Sequence, residues 1–198
     1  ICTANCVGQA GNCSYPNRVT AVTPEQLQEA VKKDHVCAEF KGNYRSVENF
    51  IRSDVIVMDI DNDHTDEPME WITPEKLEEL FLNVEYLLAP SRHHLLDKEG
   101  KSARPRYHMY FPISEITDAG RYANMKKVIQ SVYSFFDGNA LDAARFIFGA
   151  ECDEVIYHDG WVTVDEEVDV SDVEEEDFDS DMSGGKSTGP ILEGSRNN

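Results

Sequence analysis

"VIVMDIDNDHTDEP" spans residues 55–68 and sets an apolar, β-branched run directly against a cluster of carboxylates. Residues 54–61 have the composition of a buried strand. Asp59, Asp61 and Asp63 fall on alternate residues, so on a strand they share one side. Like charges that close are costly unless a cation or a shared proton offsets them. The stretch therefore decides where a central strand ends and whether its end is a metal site.

Working outward, "TPEQLQEAVKKD" (23–34) and "TPEKLEELFLNV" (73–84) both open as helices, with Thr as cap and Pro in the first turn. Strands are expected at 36–40, 54–61, 85–91 and 106–114, the last stopping at Pro112. Residues 95–105 form a polar loop, and 118–136 an amphipathic helix with Asp118 as cap. "ALDAARFIFGA" (140–150) is ambiguous between helix and strand, and "VIYHDGWVTV" (155–164) suggests a hairpin around Asp159-Gly160. The first 20 residues look irregular. Alternating strands and helices up to about residue 136 predict an α+β or mixed α/β fold, a mixed sheet covered by helices. No internal repeat is present.

The chain of 198 residues is long enough for one domain with a real core, with or without a tail. It opens on Ile1, so a piece of a longer protein or a processed product is expected. The formal net charge is −20, unevenly spread: residues 165–181 hold eleven acids and no Lys or Arg. Such a block repels itself, which predicts disorder. About half of the net charge lies from Asp165 onward, so the overall acidity says little about what the folded part binds. "SGGKSTG" (183–189) has a flexible linker's composition. No apolar run of about 18 residues predicts a membrane span, and no signal peptide is visible. Five cysteines, an odd number, then favour a reducing cytoplasm.

The acidic run admits four readings. As a calcium loop, Asp59, Asp61, Asp63 and Glu70 would take positions one, three, five and twelve, but His64 stands where Gly is needed and Pro68 interrupts. Aspartyl-phosphate hydrolases also place Asp-x-Asp after a strand, but their following Gly-Thr is absent. A solvated charged turn is the plainest alternative. The fourth is Asp-hydrophobic-Asp at a strand end, where Asp59 and Asp61 could bridge a pair of Mg²⁺ or Mn²⁺ ions for nucleotidyl transfer.

Two further stretches carry chemistry. "SRHHLLDKEGKSARPRYHMYFP" (91–112) holds Arg92, Lys98, Lys101, Arg104 and Arg106, with His93, His94 and His108, against only two acids. Its natural partner is phosphate. Arg104, Arg106 and His108 alternate, so all three could share one strand face; the alternative is a solvated loop leading into a core strand. In "FFDGNALDAARFIFG" (135–149), Asp137 and Asp142 precede Arg145, as ligands or as turn caps.

Taken together, the three stretches resemble the archaeo-eukaryotic primase superfamily, in the primase-polymerase branch of phages, plasmids and integrative elements. "VMDIDND" matches its Asp-x-Asp, "RYHMYFP" its Ser-x-His-like strand with Arg106 in place of Ser, and "FFDGNALDAAR" its Asp with a downstream Arg. The resemblance covers residues 30 to 150. It implies a core sheet of the RNA-recognition-motif (RRM) type with an N-terminal α/β unit, together forming a catalytic domain over residues 1–164, with 1–40 as a Cys-rich N-terminal part. It further implies two Mg²⁺ or Mn²⁺ ions on Asp59, Asp61 and Asp137 or Asp142, and a triphosphate held by Arg92, Arg104, Arg106, His108 and Arg145. The substrates would be NTP or dNTP on a single-stranded DNA template, in a bacterial host or a phage- or plasmid-encoded setting. "GPILEGSRNN" (189–198) looks like the opening of a primase C-terminal segment leading to a helicase region, which makes 165–188 an acidic linker. Cys2, Cys6, Cys13 and Cys37, with His35 as a substitute, could bind a structural zinc; free thiols are the alternative. Tyr15, Tyr44 and Phe50, near Arg18, Lys41 and Arg45, could stack on template bases or lie in the core. Two rival functions remain open: another metal-dependent phosphotransferase or phosphohydrolase, and a catalytically degenerate module that only binds single-stranded DNA.

Overall fold

The computed structural model describes residues 1–153 and 155–168. In chain order the elements are β1 (Cys2–Thr3), β2 (Asn17–Arg18), α1 (Pro24–Val31), β3 (His35–Val36), β4 (Glu39–Phe40), β5 (Phe50–Ile60), α2 (Pro74–Leu80), β6 (Tyr86–Pro90), β7 (Tyr107–Ile116), α3 (Ala119–Val132), β8 (Phe146–Ile147), β9 (Ile156–His158) and α4 (Val164–Glu167). They form a five-stranded sheet of order β4-β5-β7-β6-β9 and a small four-stranded sheet of order β2-β1-β3-β8. Every ladder is antiparallel. The expected mixed sheet is thus corrected to two antiparallel ones; a lone bridge between Val84 and Val162 is parallel.

β5 is apolar on both sides because both sides are covered. Ile56, Met58 and Ile60 join Met109 and Phe111 of β7 against Leu77 of α2, Tyr122, Met125 and Ile129 of α3, and Val164 of α4. Val57 faces the other way, with Tyr110 and Ala89, onto Leu27 and Val31 of α1 and Ile147 of the small sheet. The parity that turns Val57 toward the small sheet also turns Asp59 that way, at the far end of the same face. Helix starts follow the sequence: Thr23 Oγ1 accepts from the Gln26 amide at 3.4 Å and Asp118 from the Arg121 amide at 2.8 Å.

Several expectations are corrected. The strand at 36–40 splits into β3 and β4, which serve different sheets. β7 does not stop at Pro112 but runs through it to Ile116. Pro112 sits opposite Val55, next to a register shift that leaves its missing N–H without consequence. No hairpin forms around Asp159-Gly160. β9 pairs with β6, and Gly160 lies so close to the backbone of Val84 and Glu85 that a Cβ would collide with it. The residues expected to form an N-terminal α/β unit join a sheet that is not contiguous in the chain, since β8 closes it. Residues 165–167, expected in the disordered linker, continue α4, capped reciprocally by Thr163 and Glu166. Residues 169–188 and the segment 189–198 lie outside the described residues. Among the described residues, no helix is long and apolar enough to cross a membrane.

One buried carboxylate closes the small sheet, and one buried imidazole binds that sheet to the large one. The Asp34 carboxylate accepts from the amides of Gly8 (2.9 Å), Gln9 (3.0 Å) and Gly149 (2.8 Å), joining the N-terminal loop to the chain leaving β8. His35 lies between the sheets, with Nδ1 2.8 Å from the Lys33 carbonyl and Nε2 2.8 Å from the Tyr110 hydroxyl. A carbonyl only accepts, so Nδ1 carries the proton and Tyr110 donates to Nε2. Burial pushes the His35 pKa down to about 4. The unfolded chain takes up this proton below about pH 6.5, while the folded chain resists it until near 4, so stability is full above that window and falls as pH drops through it. The melting temperature is expected to fall between pH 7 and pH 5, and His35→Gln to flatten that slope; equal slopes in both proteins would remove His35 as its source.

Candidate functional site

β5 ends where β7 begins, and the pairing puts Asp59 opposite His108. His108 Nδ1 lies 2.8 Å from Asp59 Oδ1, and an Arg145 guanidinium nitrogen 3.3 Å from Oδ2. Asp59 is 8% exposed. Burial alone would raise its pKa, but His108, Arg145 and the charge of Lys126 outweigh it and hold the carboxyl far below the usual range. Arg145 Nε is buried with no hydrogen-bond partner among the described residues, an orphaned donor beside the carboxylate.

Asp61 projects two residues further and meets Lys98 Nζ at 2.8 Å. Between Asp61 and Asp63, Asn62 turns the chain with φ 55°, a conformation Asn tolerates better than most residues. Its side chain accepts from the Ile72 amide (2.7 Å) and donates to the carbonyls of Ile72 (3.0 Å) and Pro105 (2.9 Å). Asn62 drew no attention in the sequence; a lone Asn among alternating Asp residues at a strand end was its only signal.

Arg104 and Arg106, expected on phosphate, are turned inward instead, 1% and 0% exposed. Arg104 donates to the carbonyls of Asn62 (2.9 Å), Thr65 (3.0 Å) and Ser102 (3.1 Å) and to Asp66 (2.9 Å). Arg106 donates to the carbonyls of His93 (3.2 Å) and Leu96 (2.9 Å) and lies 3.5 Å from Asp63. Both precede β7, so strand alternation with His108 does not govern them; their forked donors satisfy loop carbonyls that have no strand partner.

The two candidate third carboxylates separate. Asp137 adjoins Asp59 through its amide, which donates to the Asp59 carbonyl at 2.9 Å, while its side chain accepts from Asn139. Asp142 accepts from the Ala144 amide at 2.9 Å and caps the turn that leads to Arg145. Lys126 of α3, 1% exposed, donates to the Ala140 carbonyl in the same loop. It passed unnoticed because it stands on an amphipathic helix where Lys is ordinary. Arg92 does not join the group; its guanidinium lies over the Phe148 ring, 3.5 Å from the centroid. Tyr15 is buried, Phe50 packs against the core and Tyr44 is exposed.

Oxygen donors at one strand end suit a hard divalent ion in kind. As placed, however, they are held by cations, and among the described residues no three His, Cys, Asp or Glu side chains gather as a metal site. The same holds for the expected zinc set. Cys2, Cys6, Cys13 and Cys37 are free thiols and do not gather as one among the described residues.

No protein-family model matches this chain, and no curated protein does. Among solved structures, it is similar to the AEP domain of the cyanophage S-2L primase-polymerase (PrimPol). The TM-score is 0.42 and the identity 13%, over 72% of this chain and 71% of that one. At that identity the likeness says nothing about which residues act.

Arg104 is expected to be a structural brace. Arg104→Met should cost roughly 3 kcal/mol of unfolding free energy by leaving buried carbonyls unpaired. Denaturant melts check this; a loss under about 1 kcal/mol would return Arg104 to the list of free phosphate ligands.

Proposed function

We propose that the Asp59 site is a nucleotidyl-transfer centre of the primase-polymerase kind, adding nucleotides from NTP or dNTP to a 3′-hydroxyl on a single-stranded DNA template. One observation supports it above the rest: Asp59, at a buried strand end, sits between His108 and an Arg145 whose Nε has no partner. Two further carboxylates stand close by in chain or space, Asp61 two residues on and Asp137 through its amide.

Asp59, Asp61 and Asp137 would hold Mg²⁺ or Mn²⁺, which when bound lowers the barrier to hydroxyl attack and offsets charge on the leaving pyrophosphate. The chain's own residues position the triphosphate. Arg145, with its side chain 37% exposed, and His108 offer donors toward solvent. Lys98, paired with Asp61 across the loops at 2.8 Å, is a further donor. A triphosphate brings enough negative charge to draw Lys98 and Arg145 off the carboxylates, freeing oxygens for the ions. Loading of nucleotide and ions is then one coupled exchange, and the role first expected of Arg104 and Arg106 passes to Lys98 and Arg145. Catalysis is mostly positioning and charge stabilisation.

The same ion pairs support a second reading, a primase-fold module without catalysis, since Lys98 and Arg145 already neutralise Asp61 and Asp59 without a metal. The two part in a template-dependent incorporation assay with Mn²⁺ or Mg²⁺ and labelled nucleotides, with and without primer. Wild type is expected to make products that vanish with chelator and in Asp59→Ala/Asp61→Ala, while Arg145→Ala loses about a hundredfold or more in rate. Unchanged synthesis in the double mutant would move the chemistry elsewhere, and no synthesis by wild type would favour the non-catalytic module.

A further inference from the structure

Phe146 and Phe148 flank the buried Ile147 and directly follow Arg145 of the Asp59 site. Their rings meet edge to face, centroids 4.8 Å apart at 76°. Each ring also carries an arginine. The Arg45 guanidinium lies 4.8 Å from the Phe146 centroid, and that of Arg92 3.5 Å from the Phe148 centroid. Three separate chain segments thus build one continuous row: Arg45, Phe146, Phe148, Arg92. Both rings are half-buried and Arg92 is exposed.

Among the described residues neither Arg45 nor Arg92 makes an ion pair, so the aromatic ring is the close partner of each guanidinium. Arg45 donates to the Ala144 carbonyl and leaves its Nε buried without a hydrogen bond. Arginines kept from carboxylates and laid on aromatic faces offer planar stacking and unspent positive charge together. Single-stranded nucleic acid needs both, because its bases present π-faces and its backbone presents phosphates.

We propose that the Arg45–Phe146–Phe148–Arg92 row binds single-stranded DNA. A base takes the place of the Arg92 guanidinium on the Phe148 ring, and the displaced guanidinium pairs with a backbone phosphate. An acidic peptide would use the arginines but gain nothing from the rings, and duplex DNA offers no free base faces. The proposal rests on the reading of the Asp59 site as template-directed and gives the template a route past it, since Arg145 of that site directly precedes Phe146.

The test is fluorescence anisotropy of a labelled oligothymidine with the whole chain at low salt, for wild type, Phe148→Leu, Arg92→Ala and Lys127→Ala, beside the incorporation assay. Phe148→Leu and Arg92→Ala are each expected to weaken binding by about tenfold. Arg92→Ala should also reduce the slope of log affinity against log salt by about 0.7. Lys127→Ala, which removes an exposed cation of α3 outside the row, should bind as wild type does. Because Arg92 is exposed, its variant keeps the test open even if Phe148→Leu disturbs packing. Wild-type affinity in both row variants, no binding by wild type, or equal binding of duplex of the same sequence would each overturn the proposal. Row-dependent binding without synthesis by wild type would overturn the polymerase reading and leave this surface standing; synthesis with row-independent binding would do the reverse.

Discussion

The acidic end of β5 is stable because a basic segment folds back over it. Asp61 meets Lys98, Asp63 lies near Arg104 and Arg106, and Asp66 meets Arg104 and Lys101. Surface pairs of this kind contribute little one at a time. Here two of the cations are fully buried, and their fixed forks satisfy loop carbonyls as well as charge. Removing either side would leave the other uncompensated in a place poor in water. The turn after β5, the entry to β7 and hence the facing of Asp59 and His108 all depend on this clasp.

The clasp also changes what the opening puzzle meant. Alternating carboxylates after an apolar run looked like a metal site, and the cations downstream looked like a phosphate site. In the fold each is partly the other's partner. Charge content along a chain shows that a group needs a counterion but not whether the counterion is a residue or a ligand. Asp59 differs from Asp61, Asp63 and Asp66 in this respect, since its partners come from the strand opposite and from the loop before β8, outside the clasp.

What was legible followed from local rules. Both Thr-Pro-Glu helix starts, the capping Asp118 and the strand ending in Asp59 appear within a few residues of where propensity and patterning put them. What was not legible depended on distant neighbours. Pro112 reads as a stop unless the register shift opposite it is known. Gly160 resembles a turn residue, yet it is needed for its close approach to Val84 and Glu85. Strands of two residues, as in β3 and β8, carry no periodicity at all. Arg104 could not be told from a surface arginine, because nothing near it in the chain reveals that acceptors of Asn62, Thr65 and Asp66 converge on it. At the site, Asp59 and His108 were visible from their strands, while Lys126 and Asn62 were hidden by being ordinary residues in ordinary places.

The small sheet is closed by β8, so its first strand and its last are separated by most of the described chain. Asp34 waits for the Gly149 amide, and Gln28 for the carbonyls of Cys152 and Asp153, across more than 110 residues. Joining ends so far apart costs loop entropy before any contact repays it. During synthesis, residues 1–36 therefore emerge as an incomplete sheet with an open edge and must wait, exposed, until residue 149 has been made. The five-stranded sheet can form meanwhile and serve as the template on which they settle, so the Arg145–Asp59 contact is among the last to be made.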